Sequence, residues 1–207
     1  MRLKRTQRKI RRIFDNIESM RHDRLNQPFA VFVSLMPYMT SDTIKSLIIL
    51  PPPRVFHRKN VPQDLQLVTF GTLIGLQTCV SKDYLKTCCS LVEKLTGVGA
   101  DRVASSAAKD VLGIVNMIKA EMERIGKLFN GLKSEKTSEE LSAGIDRLNF
   151  GTFGIVDWYA KRMGIIDHEE VMNTPWARIY QCMKIDFENN EFEKRYRRVI
   201  ERRYKKK

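Results

Sequence analysis

The chain has 207 residues, of which 43% are hydrophobic and 29% are charged, and this length is sufficient for a hydrophobic core. Its formal net charge is +13, from 37 Lys and Arg against 24 Asp and Glu. No apolar run reaches the length of about 18 residues that a transmembrane helix needs, and the first residues are too polar for a secretory signal. We therefore expect neither a membrane-spanning protein nor a secreted one.

The positive charge is concentrated at the two ends of the sequence. Residues 1–25 contain nine Lys and Arg against three Asp and Glu, and residues 191–207 contain the same numbers, so each end carries +6. The residues between them carry 19 basic and 18 acidic side chains and are nearly neutral. This distribution indicates an anionic partner, which could be a phosphate backbone, an anionic surface or an acidic protein.

The first segment, residues 1–27, predicts a basic helical arm. Apolar residues recur at spacings of three, four and seven from Leu3 to Met20, as on one face of a helix. No acidic residue precedes Asp15, so most of the basic side chains before it lack the acidic i, i+4 partner that a solvated helix usually has. The candidate contacts of this arm with an anionic partner are Lys4, Arg5, Arg8, Lys9, Arg11 and Arg12.

Residues 28–64 predict a short helix followed by a Pro-rich extended linker. Apolar periodicity of moderate strength begins near Ser41, and Pro51-Pro52-Pro53 ends it, because proline cannot donate the backbone hydrogen bond of a helix. From there to Pro62 we expect an extended chain with polyproline-like stiffness at its start.

Residues 65–190 predict a helical body. A seam from Tyr84 to Leu95 ends at Gly97, with Ser81 as its expected cap. An uninterrupted apolar stripe then predicts one long helix over 101–130, capped by Asp101. The fold class predicted is all-α, a helical bundle body with extended or helical basic N- and C-terminal arms.

The last third predicts two further helices. One runs from Asn149 to Met163 and ends at Gly164, and the other starts at Thr174-Pro175 and continues to the end of the chain. The apolar stripe of the last helix drifts at 188–190, which predicts a kink or a solvent-exposed stretch there. Residues 191–207 form its basic end, with Arg197, Arg198, Arg202, Arg203, Lys205 and Lys206 as candidate contacts.

The sequence contains no catalytic or metal-binding signature of comparable strength. The four cysteines and three histidines lack the short spacings of a zinc site, and we expect the cysteines to be reduced. Glu121 and Glu123 are interpreted as surface charges of the long helix, and Asp167-His168-Glu169-Glu170 as a capped helix start. We therefore expect no enzyme and no cofactor.

Two sets of aromatic residues are also interpreted as parts of the helical fold. Trp158, Tyr159, Trp176 and Tyr180 are expected to form an aromatic core between the last helices. Phe70-Gly71-Thr72 is repeated as Phe150-Gly151-Thr152, and both copies stand where a helix is predicted to begin. The repeat is interpreted as one helix entry used twice, with a duplicated helical unit and a ligand-binding glycine loop as alternatives.

Two stretches of the chain resemble structural proteins of tailed bacteriophages. The first is Asn60-Val61-Pro62-Gln63-Asp64-Leu65 leading into Thr69-Phe70-Gly71-Thr72-Leu73. The second runs from Phe150 through Asp157-Trp158-Tyr159-Ala160-Lys161-Arg162-Met163-Gly164 to Pro175-Trp176-Ala177-Arg178. Within residues 60–185 the chain is similar to the head–tail ring or connector proteins of crAss-like phages and, more weakly, to phage tail-assembly chaperones.

The resemblance implies a non-enzymatic, mostly helical subunit of a homo-oligomeric ring, possibly twelve-fold, beneath the portal on the path of the DNA. Its partners would be copies of itself, the portal or other connector and tail proteins, and possibly DNA without sequence preference. It would be made in the cytoplasm of the host bacterium and reside in the virion at the head–tail interface. Two alternatives stay open, a non-specific nucleic-acid-binding protein that acts through its basic termini and a tail-assembly chaperone.

Overall fold

The computed structural model describes residues 25–39, 49–133 and 136–204, and this part of the chain is all-α as predicted. Its two 3-10 turns are Met36–Tyr38 and Ile145–Arg147. Its α-helices are α1 Phe29–Leu35, α2 Phe70–Thr78, α3 Tyr84–Thr96, α4 Ala100–Ser105, α5 Ala108–Asn130, α6 Ser138–Ser142, α7 Gly151–Met163, α8 His168–Met172 and α9 Trp176–Tyr204.

The segment predicted to be extended after the three prolines instead contains a small β-hairpin. Strand β1, Val55–Phe56, pairs antiparallel with β2, Lys59–Asn60. The turn residues His57 and Arg58 have φ of 47° and 64°, and positive φ at both central residues is the geometry of a two-residue hairpin turn. The prediction of an extended segment did not include this turn, because apolar periodicity cannot reveal strands of two residues.

The long helix predicted over 101–130 is interrupted at Ser106. There the backbone is extended, with φ −78° and ψ 161°, and it pairs with the segment before α1. The amide of Phe29 donates to the carbonyl of Ser106 at 2.8 Å, and the amide of Ala108 donates to that of Gln27 at 2.9 Å. These backbone hydrogen bonds replace the helical ones at the break.

The helix C-termini predicted at two glycines are observed, whereas two of the predicted N-terminal caps are not. Gly97 and Gly164 both adopt the left-handed conformation at C-terminal caps, which glycine reaches without a steric penalty. Asp83, rather than Ser81, caps α3 through the amide of Lys86. Asp101 lies in the first turn of α4 instead of at its cap.

The described residues form two compact units. The first unit comprises residues 25–39, 49–64 and 78–120, and the second comprises 65–77, 121–133 and 136–204. Helix α5 therefore contributes its first half to one unit and its second half to the other. In the first unit α1, α3 and α4 pack together, and fully buried side chains there include Phe29, Phe32, Val92, Val103, Val111 and Ile114.

The hairpin is tied to helix ends within the first unit. Lys59 Nζ donates to the carbonyl oxygen of Gly97 at 2.8 Å, which satisfies one of the carbonyl groups left open where α3 ends. A 2.7 Å hydrogen bond joins His57 Nε2 and Ser106 Oγ. The hairpin thus holds the two places where helical hydrogen bonding stops.

A pair of glycines on α5 provides a test of this packing. A Cβ at Gly113 would collide with the backbone carbonyl of Pro51, whereas a Cβ at Gly126 would meet no other atom. Gly126→Ala should stabilise the protein by up to about 1 kcal/mol, through helix propensity. Gly113→Ala should destabilise it by about 1–3 kcal/mol despite the same gain, because the backbone must shift. Urea unfolding of both variants measures the difference, and equal effects would contradict the close approach of Pro51.

Candidate interaction surface

The position of α9 depends on a hydrogen-bonded anchor around Leu65 in the second unit. Leu65 is fully buried, and both of its backbone polar groups are satisfied by side chains. The indole Nε1 of Trp176, in the first turn of α9, donates to the Leu65 carbonyl at 2.6 Å. The Leu65 amide donates to a carboxylate oxygen of Glu121 at 3.1 Å. A buried backbone group without a partner would be costly, so these contacts hold Leu65, α5 and α9 together.

Glu121 therefore has a structural role that its sequence position did not predict. Its side chain is only 16% exposed, whereas that of Glu123 is 70% exposed, as predicted for a surface charge. The guanidinium of Arg124 donates two hydrogen bonds of 2.8 Å to Glu121. These bonds hold the pKa of Glu121 below its ordinary value, with the Leu65 amide contributing in the same direction. The interpretation of Glu121 as a surface charge was wrong because its partner lies 56 residues away in sequence.

Backbone hydrogen bonds add a second connection at the same place. The amide of Phe70 donates to the carbonyl of Thr174 at 2.8 Å, and the amide of Trp176 donates to that of Val68 at 3.3 Å. The start of α2 and the start of α9 are therefore joined like a short antiparallel bridge. Aromatic packing extends the anchor, since the ring of Phe129 lies 6.1 Å from that of Trp176 and 5.5 Å from that of Tyr180.

The pH dependence of stability should report on the Glu121 carboxylate. Because its pKa is lowered in the folded state, the ionised group stabilises the fold above its ordinary value of 4.5, and this contribution is lost as the pH falls through the lowered value. Glu121→Gln should destabilise the protein at pH 7 by about 1–3 kcal/mol, because it weakens hydrogen bonds to a charged group. The difference from the parent should shrink at pH 3.

Glu123→Gln is the matched control for this pH experiment. Glu123 forms an exposed pair with Lys127, and water screens such a pair. Denaturant unfolding between pH 7 and pH 3 should therefore give nearly the same curve for Glu123→Gln and the parent. The anchor would be disproved if Glu121→Gln also followed the parent at every pH.

The structure describes four of the residues predicted to contact an anionic partner. Arg197, Arg198, Arg202 and Arg203 lie in the last turns of α9, and all four are exposed. None of them forms an ion pair with another residue in the described part of the chain. They are distributed around the helix axis rather than along one stripe, as their spacing requires. The other predicted contacts lie outside the described residues: Lys4, Arg5, Arg8, Lys9, Arg11, Arg12, Lys205 and Lys206.

The two halves of α9 differ in what they bury. In its first half Trp176 and Ile179 are buried, and Tyr180, Met183 and Phe187 are half-buried on the same face. From residue 191 to residue 204 no side chain is buried. The helix continues without a break through 188–190, where all three side chains are exposed. The exposed stretch predicted there is confirmed, and the alternative of a kink is not needed.

The exposed half of α9 carries a separate apolar stripe. Phe192, Tyr196 and Val199 are each about half exposed, and the rings of Phe192 and Tyr196 stack with centroids 6.1 Å apart. At 3.6 residues per turn these three residues lie on the side of α9 opposite to Trp176, Met183 and Phe187. We call them the outer stripe. A soluble helix end with an unburied apolar stripe points to a contact that the isolated chain does not make.

The sequence contained the signal for this change of face. Apolar residues of the packed face follow spacings of three and four, but Phe187 and Phe192 are five residues apart. Five residues turn a helix by about 140° beyond a full rotation. The drift predicted at 188–190 therefore marks the change from the packed face to the outer stripe.

Net charge also differs between the exposed end of α9 and the rest of the second unit. Its residues 65–77 and 121–190 carry nine basic and twelve acidic side chains, a net charge of −3. The exposed end of α9, residues 191–204, carries six basic and three acidic side chains, a net charge of +3. The remaining segments, 26–64 and 78–120, carry ten basic and six acidic side chains. The near-neutral middle of the sequence therefore contains an acidic unit.

A groove of about 450 Å³ opens on the second unit between α7 and α9. Met183, Phe187 and Asn190 of α9 form one wall, and Phe150, Ile155 and Trp158 at α7 form the other. Among the described residues that line it, Asp186 is the one with a charge, and Arg162 donates two hydrogen bonds of 2.9 and 3.1 Å to this carboxylate. The groove is therefore mostly apolar, with its single carboxylate already paired.

The two Phe-Gly-Thr copies both begin helices but lie in different environments. Phe70 is 3% exposed and Phe150 is 69% exposed. A Cβ at Gly71 would come within 3.1 Å of the Met172 carbonyl oxygen, so glycine permits close packing there. Gly151 instead has a positive φ of 52°. The repeated helix entry is observed, and at its second copy the phenylalanine forms the rim of the groove.

The aromatic side chains at α7 and α9 pack against other side chains, and the Cys89 thiol is buried. Trp176 and Tyr180 pack with Phe129, whereas Trp158 packs with Tyr159 and the guanidinium of Arg162. Burial raises the pKa of the Cys89 thiol to about 11, which makes it a weak nucleophile at neutral pH.

The described residues contain neither a metal-binding cluster nor a membrane-spanning helix. Asp167 caps α8 by accepting from the Glu169 amide. Across 25–39, 49–133 and 136–204, no group of His, Cys, Asp and Glu side chains is arranged to hold a metal ion. The helices of these same ranges include none that is both long and apolar enough to cross a membrane.

Comparisons of the chain with models of protein families, with curated proteins and with solved structures found no match.

Opposite faces of α9 should respond differently to polar substitution. Ile179 is fully buried and Val199 is 47% exposed. Ile179→Ser should cost about 2–5 kcal/mol of unfolding free energy, because it removes buried methyl groups and leaves a cavity. Val199→Ser should change it by less than about 0.5 kcal/mol, as for a surface position. Chemical denaturation at low micromolar protein measures both, and a large loss for Val199→Ser would show that the outer stripe is packed within the chain.

Proposed function

We propose that this chain is a non-enzymatic assembly protein that forms an oligomeric ring in the head–tail connector of a tailed bacteriophage. It docks onto neighbouring proteins through its basic ends. In this proposal its partners are copies of itself and the portal or other connector and tail proteins, and the ring is possibly twelve-fold. The chain is made in the host cytoplasm and remains in the virion at the head–tail interface.

The observation that carries the proposal is the exposed end of α9. It combines a net charge of +3 with the outer stripe of Phe192, Tyr196 and Val199. A phosphate backbone would attract the arginines but would offer no apolar surface to the stripe. A protein partner with an apolar depression and acidic surroundings satisfies both features, as aromatic and arginine side chains do in the centres of protein interfaces.

The anchor of α9 gives independent support, because it joins the two stretches on which the phage resemblance depends. Leu65 ends the first motif and Trp176 belongs to the last one, and they share the 2.6 Å hydrogen bond described above. Thr69 and Pro175 form an isolated β-bridge. Residues that are separated by more than 100 positions thus serve one structural purpose, which is to hold the base of the docking helix.

Non-specific nucleic-acid binding is the second candidate, favoured by the four exposed arginines, which form no ion pair with the described residues. Two sets of substitutions distinguish it from protein docking. Changing Arg197, Arg198, Arg202 and Arg203 to Gln removes charge and keeps the stripe. Changing Phe192, Tyr196 and Val199 to Ser removes the stripe and keeps the charge.

Fluorescence anisotropy with a mixed-sequence DNA duplex at several salt concentrations would separate the two candidates. If DNA is the ligand, the arginine substitutions should weaken binding and flatten its salt dependence, since fewer counterions are released. The serine substitutions should then leave binding within about two-fold. If the duplex fails to bind the parent chain in low salt, the nucleic-acid candidate is excluded and an acidic protein remains.

Quantitative mass spectrometry of purified phage particles tests the proposal itself. A connector subunit should be present in a constant ratio to the portal protein, because a closed ring has a fixed number of subunits. A tail-assembly chaperone should be present in infected cells and absent from mature particles. Absence from the particles would therefore overturn the connector assignment in favour of the chaperone.

A further inference from the structure

We propose that the outer stripe of one copy occupies the groove between α7 and α9 of the next copy, so that the subunits associate head to tail. This inference rests on the proposed assembly function and assigns both surfaces of its self-contact. The inserted element is the end of α9 with Phe192, Tyr196 and Val199. The receiving element is the groove with Phe150 at its rim and Met183 and Phe187 in its wall.

The stripe of a chain cannot enter the groove of the same chain. Both belong to α9, which is one unbroken helix from Trp176 to Tyr204. Met183 and Phe187 line the groove, and the outer stripe lies on the opposite side of the helix. A rigid helix cannot present two opposite faces to each other, so any outer stripe in the groove must come from another molecule.

The two surfaces match in length. Phe192 and Val199 are seven residues apart, and so are Met183 and Asn190, which gives each surface an extent of about 10 Å along a helix. The groove volume of about 450 Å³ also falls within the range of about 300–1,000 Å³ that is typical of binding pockets. Two helices laid side by side would thus bring the stripe and the groove into register.

The two surfaces also match in charge. The inserted end, residues 191–204, carries +3, and the rest of the second unit carries −3. Within the inserted end Arg195 and Arg202 flank the outer stripe on one side, as their helical spacing shows. They would approach a neighbouring copy whose second unit is net acidic outside this end, so charge attraction and burial of apolar area would act together. This complementarity is the reason for choosing a second copy as the occupant.

The contact uses two different patches, and this has a consequence for symmetry. An interface of unlike patches leaves one free stripe and one free groove on every dimer, so addition continues. It ends when the rotation between neighbours closes a ring, and otherwise it produces a filament. Packing of stripe against stripe would instead stop at a two-fold dimer. Growth beyond a dimer therefore indicates contact of stripe with groove, whereas a dimer that does not grow indicates contact of stripe with stripe.

Complementation between two variants of the full chain tests the proposal. The stripe variant carries Phe192→Ser, Tyr196→Ser and Val199→Ser, and the groove variant carries Phe150→Lys, which puts a positive charge where the basic helix should dock. Tyr204→Ser is the control for the stripe, since Tyr204 is 75% exposed but off the stripe. Phe153→Lys is the control for the groove, since Phe153 is 63% exposed and does not line it.

Sedimentation velocity from about 1 to 100 µM should show assemblies larger than a dimer for the parent chain and both controls. Each variant alone should be monomeric, because it lacks one of the two surfaces. Their equimolar mixture should form a one-to-one dimer and nothing larger, since only one intact stripe meets one intact groove. Circular dichroism checks that each variant is folded, and Asn190→Lys is a second groove variant at an exposed position.

Three outcomes would overturn the inference. A parent chain that stays monomeric up to 100 µM would exclude self-docking, while the connector assignment could still be supported by its presence in particles. A mixture that remains monomeric would refute head-to-tail docking, and a dimer formed by the groove variant alone would indicate stripe-to-stripe packing. If the groove variant assembled as far as the parent chain does, the outer stripe would have to dock at a site other than the groove. Absence of the chain from particles, with complementation intact, would refute only the connector assignment.

Discussion

The anchor at Leu65 is the constraint on which the second unit depends. A buried leucine has its amide bound by Glu121 and its carbonyl bound by Trp176, so three distant segments meet at one residue. Buried backbone groups must be paired, and here the shortest hydrogen bonds are made with side chains, while the Val68 amide is a further donor to the Leu65 carbonyl at 3.3 Å. The anchor holds the first turn of α9 firmly. The opposite end of the same helix can then remain exposed without loss of its orientation relative to the unit.

Position along α9 separates stability from interaction. The first half buries Trp176 and Ile179 and belongs to the core. The second half contributes little burial, yet it contains the outer stripe and the arginines. A helix of this length needs packing to be stable in water, and its anchored half supplies that packing. The exposed half can therefore present a preformed surface, which lowers the entropy lost on docking.

Charge and apolar surface act on different properties of the proposed contact. Attraction between the basic helix end and the acidic body would accelerate association and select the orientation of the partners, and it would weaken with salt. Burial of Phe192, Tyr196 and Val199 in the groove would slow dissociation and depend little on salt. A contact built from both would form reversibly as subunits arrive and become persistent once a closed arrangement leaves no free stripe.

The sequence by itself determined the helical class, the glycine-terminated helix ends and the concentration of charge at the termini. These properties depend on local periodicity, on the conformational freedom of Gly97 and Gly164, and on composition. It also contained the five-residue spacing between Phe187 and Phe192 that separates the two faces of α9. Only the tertiary structure decided the break at Ser106, the hairpin after the prolines and the burial of Glu121. Each of these depends on partners far away in sequence, such as Gln27 for the break and Leu65 for Glu121, and local patterns do not encode which distant backbone group will need a hydrogen bond.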